Sequence, residues 1–379
     1  MSDRIRNISN IVVASVIVFG LFVWSLLSPD SEQSMSERRW LAKFPEFGME
    51  HIFVQPGKTT FMDEFETYSQ DQFPMREGFR RIHSGASKYL LRKTENNDLC
   101  LVDGYISKLE YTINEDSVDW SLNRIRYIYE NYLADSDVYF AIIPDKNYYL
   151  SGNLGYITYD YDAFIERFRD ETSDIASFID LRDHLSLRNF YYTDTHWKQE
   201  TLLNVTDYML YTMTGRGWME HTNNVVLCEN LYSDSFEGVY YGQLALPVEK
   251  DSLMYMSGYY IDNLKAYCYD TGSPIPINIY DMEKGEGLDA YELYLTGSKA
   301  LITIDNPNAD TDKELIIFRD SFSSSIAPLL AGGYRKVTLV DIRYISPAMV
   351  GRFIEFEGKD VLFLYSAQIL NNSVGQFNN

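Results

Sequence analysis

Cysteine is scarce in this chain: only Cys100, Cys228 and Cys268 occur among 379 residues, with no CxxC pair and no His/Cys cluster beside them. That pattern gives neither a disulfide framework nor a zinc site. Cys228 and Cys268 lie in one segment and could bridge each other, leaving Cys100 over. Basic side chains are also in short supply, 33 against 55 acidic ones, for a formal charge of -22. A surface that negative repels nucleic acid, so no nucleic-acid partner is expected. It also argues against a peripheral protein held on anionic lipid by basic patches. Histidine numbers only five, and internal repeats and low-complexity runs are absent. Tyrosine, by contrast, is abundant, with 31 copies and 15% aromatics overall. Such rings stack on sugar C–H faces while offering a polar tip, and they serve equally well in an ordinary core.

The long apolar run stands at the N-terminus. Ile8 to Leu27 is almost wholly apolar, about the ~20 residues a helix needs to cross a bilayer. Arg4 and Arg6 precede it, and Asp30 and Glu32 follow. Positive flanks stay cytoplasmic, which places the remaining chain outside. The expectation is a cytoplasmic tail over 1–7 and a single-pass membrane anchor over 8–28, with a cleaved signal peptide as the rival reading.

Past the anchor, residues 29–95 read as a stalk and a helical region, in which Pro74 bends or restarts a helix. Leu99 to Leu109 alternates around Gly104 as a hairpin would. Helical spacing over Trp120 to Leu133 places Trp120, Ile125, Ile128 and Tyr132 near one face. Val138 to Ile143 predicts a buried strand ending at Pro144-Asp145-Lys146, and Phe178 to Leu181 a further short apolar stretch. Lys198 to Met213 predicts a helix stopped by Gly215 and Gly217. Between about 217 and 298 the periodicity weakens into Tyr-, Gly- and Asp-rich sequence, expected to be a β-rich insert. The C-terminal third predicts strands at Glu314–Phe318, Lys336–Asp341 and Val361–Tyr365. Helices should separate them over 322–331 and from Pro347, capped by Ser346, to Gly358. Short connections of this kind predict parallel strands with right-handed crossovers.

Two short motifs carry chemistry. In Thr193-Asp194-Thr195-His196-Trp197, acid and imidazole are two residues apart. An extended backbone would put both on one face, so the carboxylate could orient the imidazole as a base. In Arg319-Asp320-Ser321-Phe322-Ser323, a serine sits where a buried strand turns into a helix. Such a corner exposes the hydroxyl at the sheet's C-terminal edge, and the helix N-terminus offers N–H groups to an oxyanion. The corner follows nucleophile-elbow logic without the G-x-S-x-G sequence. A serine after a strand is also an ordinary helix cap. Asp194 and His196 could also ligate a metal, but no further histidine accompanies them.

These motifs resemble the DHHW family, which is related to the alginate O-acetyltransferases of the AlgJ/AlgX type. YTDTHW at 192–197 and the stretch IIFRDSFSSSIAPLLAGGYRKVTLVDIRY from Ile316 are the most specific matches. SERRWLAKFPEF, DQFPMR, VDGYI and IIPDK add to them, so the likeness spans most of the chain beyond the anchor. It implies an α/β fold of the SGNH-hydrolase kind over 96–379, a parallel sheet flanked by helices, in the circularly permuted order with Asp and His before Ser. It further implies Asp194 as orienting acid, His196 as general base and Ser321 as nucleophile. Lys146, Tyr192, Trp197 and Arg319 are the expected substrate-side residues. Two positions depart from the pattern: Arg319 stands where Gly usually precedes Asp-Ser, and Thr195 where a second His is common.

The expected activity is an extracytoplasmic serine-dependent O-acetyltransferase acting on a cell-surface or secreted polysaccharide. It would need no cofactor and no metal, and would take its acyl group from a membrane-bound O-acyltransferase (MBOAT) partner. The same triad would serve a carbohydrate acetyl esterase or a D-alanyl-type transferase. An inactive glycan-binding or export-complex accessory is the reading from another class.

Overall fold

The computed structural model describes residues 3–46, 59–93, 95–154, 158–374 and 376–377. Two compact units emerge: Met1–Asn96 with Gly242–Pro247, and Asn97–Tyr241 with Val248–Asn379.

In the first unit, the apolar run forms the helix Asp3–Leu27, which buries none of its residues and is long and apolar enough to cross a membrane. A signal sequence passes the same test. Two helices follow, Phe61–Asp71 and Arg76–Tyr89. Pro74 lies in the break between them, as expected of a residue that cannot continue a helix. Thr60 and Asp63 close a reciprocal capping box on the first. The part of the expected helical region over 47–58 lies outside the described residues. Asp71 ties the unit together: it pairs with Arg39 at 2.5 Å and accepts the Ala42 N–H at 2.9 Å. Gly242 has to be glycine, because a Cβ there would lie 1.7 Å from the Ser36 carbonyl oxygen.

The second unit is built on an eight-stranded sheet. Its strands are β1 (Asp137–Ile143), β2 (Ser177–Ile179), β3 (Lys265–Cys268), β4 (Ile275–Ile277), β5 (Leu301–Asp305), β6 (Glu314–Arg319), β7 (Lys336–Val340) and β8 (Asp360–Ser366). Their order is β4-β3-β5-β7-β6-β8-β1-β2. From β7 to β2 the neighbours run parallel, whereas β5, β3 and β4 add on antiparallel. The expected α/β architecture is therefore present, with an antiparallel edge that the sequence pattern did not show.

Side chains alternate across this sheet as the two-residue period demands. Leu315, Ile317, Leu362 and Leu364 enter a core shared with the helices Leu203–Thr214 and Ser323–Leu330. Ile316, Phe318, Val361 and Phe363 enter the opposite core with the helices Glu115–Tyr132 and Tyr161–Thr172. Both faces are covered, which is why the strands read as continuous apolar runs.

Three expectations change. The stretch at 217–298 is not all insert: Lys265–Cys268 and Ile275–Ile277 belong to the main sheet, and the separate hairpin is Cys228–Phe236 with Asp251–Ser257. Short strands among tyrosines carry little periodic signal, so only their pairing reveals membership. The helix expected after Ser346 is a single 3-10 stretch, Pro347–Arg352. Cys228 and Cys268 form no disulfide. The hairpin Leu99–Val102/Tyr105–Lys108 turns through Asp103 and Gly104, both at positive φ, as a two-residue turn of this hand requires.

Candidate active site

Strand order locates a crevice. From β6 the chain crosses to β7 on one side, then returns to β8 on the other. The connections thus diverge between the C-terminal ends of β6 and β8, where open α/β sheets build sites. Asp320 bridges that gap. Its buried carboxylate accepts the Ser366 N–H at 2.7 Å and the Phe322 N–H at 3.0 Å, fixing the turn that presents Ser321.

Ser321 Oγ lies 2.8 Å from His196 Nε2, and His196 Nδ1 lies 2.6 Å from Asp194 Oδ1. The imidazole thus has a carboxylate on one nitrogen and a hydroxyl on the other. With Nδ1–H donating to Asp194, Nε2 is the acceptor that can take the serine proton. Asp194 and His196 are buried, while Ser321 is partly open to solvent.

The backbone that achieves this is not the extended strand expected from the spacing. Asp194 accepts the N–H of His196 at 3.0 Å, an Asx turn, inside a loop closed by the Phe190–Trp197 bridge. The same two side chains meet because a short carboxylate can cap the amide two residues on. Val239 N–H donates to the second Asp194 oxygen at 2.8 Å. Gly238 allows that approach, since a Cβ there would lie 2.4 Å from Asp194 Cβ. Asp251 takes the N–H groups of Tyr192 and Thr193 at 2.8 and 2.7 Å and holds the start of the loop.

The helix N–H groups expected for an oxyanion are otherwise engaged. Phe322 N–H serves Asp320 Oδ1, and Ser323 and Ser324 donate to the Asp320 and Ser321 carbonyls at 3.3 and 3.1 Å. Among the described residues no acceptor takes the Ser321 N–H, which is therefore the donor at hand.

Of the four expected substrate-side residues, only Tyr192 reaches the surface, 38% exposed and stacked on Tyr105. Lys146 is buried, and its ammonium donates to the carbonyls of Ile106, Tyr191, Tyr192 and Asp194. Burial lowers it to about 8, against the pull of the Asp194, Asp251 and Asp145 carboxylates. Trp197 is fully buried and donates to Phe322 O at 3.0 Å and Ser325 Oγ at 2.9 Å. Arg319 is fully buried, bonded to Ser324 Oγ at 2.9 Å, and burial holds its guanidinium below the ordinary value. These three are buried and bond to the loop and the helix beside the site. Tryptophan, lysine and arginine look alike in sequence whether they grip a ligand or their own fold. Among the described residues no third His, Cys, Asp or Glu joins Asp194 and His196 in a metal-ligating group.

Nothing in the sequence singles out Tyr291, one tyrosine among 31. Its ring lies parallel to His196 at 3.8 Å, and its hydroxyl donates to Ser325 at 2.8 Å. Burial pushes its phenol well above the ordinary value, so it stays neutral. A neutral ring stacked on the imidazole fixes its plane and favours the imidazolium once it forms. Tyr291→Leu should lower turnover about fivefold, as loss of ~1 kcal/mol of ring contact implies, and Tyr291→Phe should restore most of it. Equal loss in both variants would assign the effect to the hydroxyl instead.

No family model matches the chain, and no curated protein matches it. Solved structures do. PatB1 from Bacillus cereus, in a structure with a sulfonyl adduct, is similar with a TM-score of 0.59 and 18% identity, over 75% of this chain and 100% of that one. A DHHW family protein from Eubacterium siraeum DSM 15702 gives 0.52 and 16%, over 73% and 93%. The O-acetyltransferase domain of Pseudomonas putida AlgJ gives 0.45 and 13%, over 72% and 92%. At these identities the first two likenesses establish a shared fold.

Proposed function

We propose that this chain is an extracytoplasmic O-acyltransferase that carries an acyl group, acetyl in the first instance, on Ser321 and passes it to a polysaccharide hydroxyl. The observation that carries this reading is the unbroken Asp194–His196–Ser321 line at 2.6 and 2.8 Å on the crevice between β6 and β8. His196 Nε2 takes the Ser321 proton as Oγ attacks the acyl carbonyl, and returns it to the leaving group. Asp194 keeps the ring in the tautomer that can do this. The Ser321 N–H, with no acceptor among the described residues, would donate to the oxygen on which charge develops. A sugar hydroxyl then gives its proton to His196 and attacks the acyl-serine, releasing the ester and the free enzyme.

The order Asp and His before Ser is that of a permuted SGNH-like enzyme. The apolar N-terminal helix would hold the catalytic unit at the outer membrane surface, beside an MBOAT-type donor. Tyr192, the one exposed aromatic of the expected set, would meet the glycan.

Intact mass after exposure to an activated acetyl ester tests the reading. A gain of roughly 42 Da, one acetyl, is expected on the natural chain, mapped to Ser321 and absent from Ser321→Ala. A sulfonyl fluoride offers a second probe, since similar PatB1 is known with a sulfonyl adduct. No adduct with either reagent and no ester turnover, in folded protein, would leave the inactive accessory standing. Turnover that water completes equally well with and without glycan would make it an esterase.

A further inference from the structure

The helix Arg76–Tyr89 is amphipathic the wrong way round for a water-soluble fold. Its buried residues are Ser84 and Ser87, while Phe79, Ile82 and Tyr89 point outward at 44%, 68% and 66% exposure. At 100° per residue, Phe79, Ile82, Ala86 and Tyr89 fall on one stripe. Leu90, 79% exposed, continues it. A helix in water normally turns such a stripe toward the core.

Charge marks the same segment. In a chain of formal charge -22, residues 76–93 hold Arg76, Arg80, Arg81, Lys88, Arg92 and Lys93 against a single acid, Glu77. Arg76 and Arg80 are paired with Glu37. Arg81, Lys88, Arg92 and Lys93 make no ion pair among the described residues. The local patch is therefore the reverse of the whole-chain charge, a distinction that net charge alone conceals.

Position supplies the third observation. A cavity of about 520 Å³ within this unit is lined by Trp24, Ser28 and Pro29 from the end of the apolar helix, and by Met75, Arg76 and Arg81 from the start of this one. The amphipathic helix therefore begins where the membrane-length helix ends. A chain leaving a bilayer there is at headgroup depth.

We infer that Arg76–Tyr89 is an interfacial helix, laying its apolar stripe into the outer leaflet of an anionic bilayer while Arg81, Arg92 and Lys93 reach the phosphates. An apolar face with exposed cations on the helix and just past its end is what headgroup and acyl boundaries bind together. The helix would hold the unit against the membrane at a second point beyond the anchor.

The test uses the full-length chain in nanodiscs, with Cys228→Ser removing the exposed thiol. A fluorophore on Ile82→Cys reports the stripe, and one on Val226→Cys, at a site 78% exposed, reports open solvent. With lipids bearing a nitroxide near the headgroup, about half or more of the Ile82→Cys emission should be lost, as a face buried ~5–10 Å requires. Aqueous iodide should quench it several-fold less than the Val226→Cys site. Changing Arg81, Arg92 and Lys93 to Gln, or using only zwitterionic lipid, should reverse both results without altering the helical circular dichroism. Iodide quenching equal to the control in anionic nanodiscs would overturn the inference. Shielding from iodide and nitroxide lipid alike would overturn it too, by showing that protein covers the stripe.

Discussion

Ser321→Ala should lower turnover of an activated acetyl ester by about a thousandfold or more, and His196→Ala should do the same. The geometry dictates that size. The hydroxyl is held 2.8 Å from the one nitrogen that can take its proton, so removing either partner removes the step itself. The double variant should be no worse than either single one, because the two groups act as one unit. Initial rates on folded protein decide the matter. Single variants that keep most of the activity would dissociate ester turnover from this triad. Losses that multiply in the double variant would show two independent contributions, contrary to a shared proton transfer.

Lys146→Met should have the largest effect on stability. The substitution is close in volume but leaves the carbonyls of Ile106, Tyr191, Tyr192 and Asp194 converging on a thioether. Buried acceptors that lose a charged donor destabilise by roughly 3 kcal/mol or more in total. For a domain of this size that is a fall in Tm of about 6–12 °C. Lys146→Arg should not rescue it, because a flat guanidinium cannot satisfy carbonyls gathered around one point. Thermal unfolding by circular dichroism measures the first effect, and the acylation rate of the surviving folded fraction measures a second. Tyr191, Tyr192 and Asp194 all sit on the loop leading to His196, so that rate should fall as well. An unchanged Tm with an unchanged rate would mean that the loop holds itself.

Much of the site was legible. Asp194 and His196 stand two residues apart, and Ser321 follows a short apolar run that predicts a buried strand, so the three candidates can be picked from the sequence. The supports were not legible. Gly238, Val239 and Asp251 lie in sequence with weak periodicity, and they matter only because the chain folds back onto Thr193 and Asp194. By residue type Lys146, Trp197 and Arg319 are candidates to shape an acceptor site, and each is buried against the loop or the helix it steadies. The same donors serve both purposes, and only burial separates them.

By itself the amino-acid order determined the elements whose reasons are local. The membrane-length helix follows from an unbroken apolar run, the parallel strands from apolar runs between short helices, and the Asp103-Gly104 turn from backbone sterics. The tertiary structure decided what depends on distant partners. It set which strands join the sheet's antiparallel edge and which tyrosine stacks on His196. It also decided that the stripe of Arg76–Tyr89 faces outward. Periodicity reports that a helix has an apolar side, but the packing of the rest of the chain chooses where that side points.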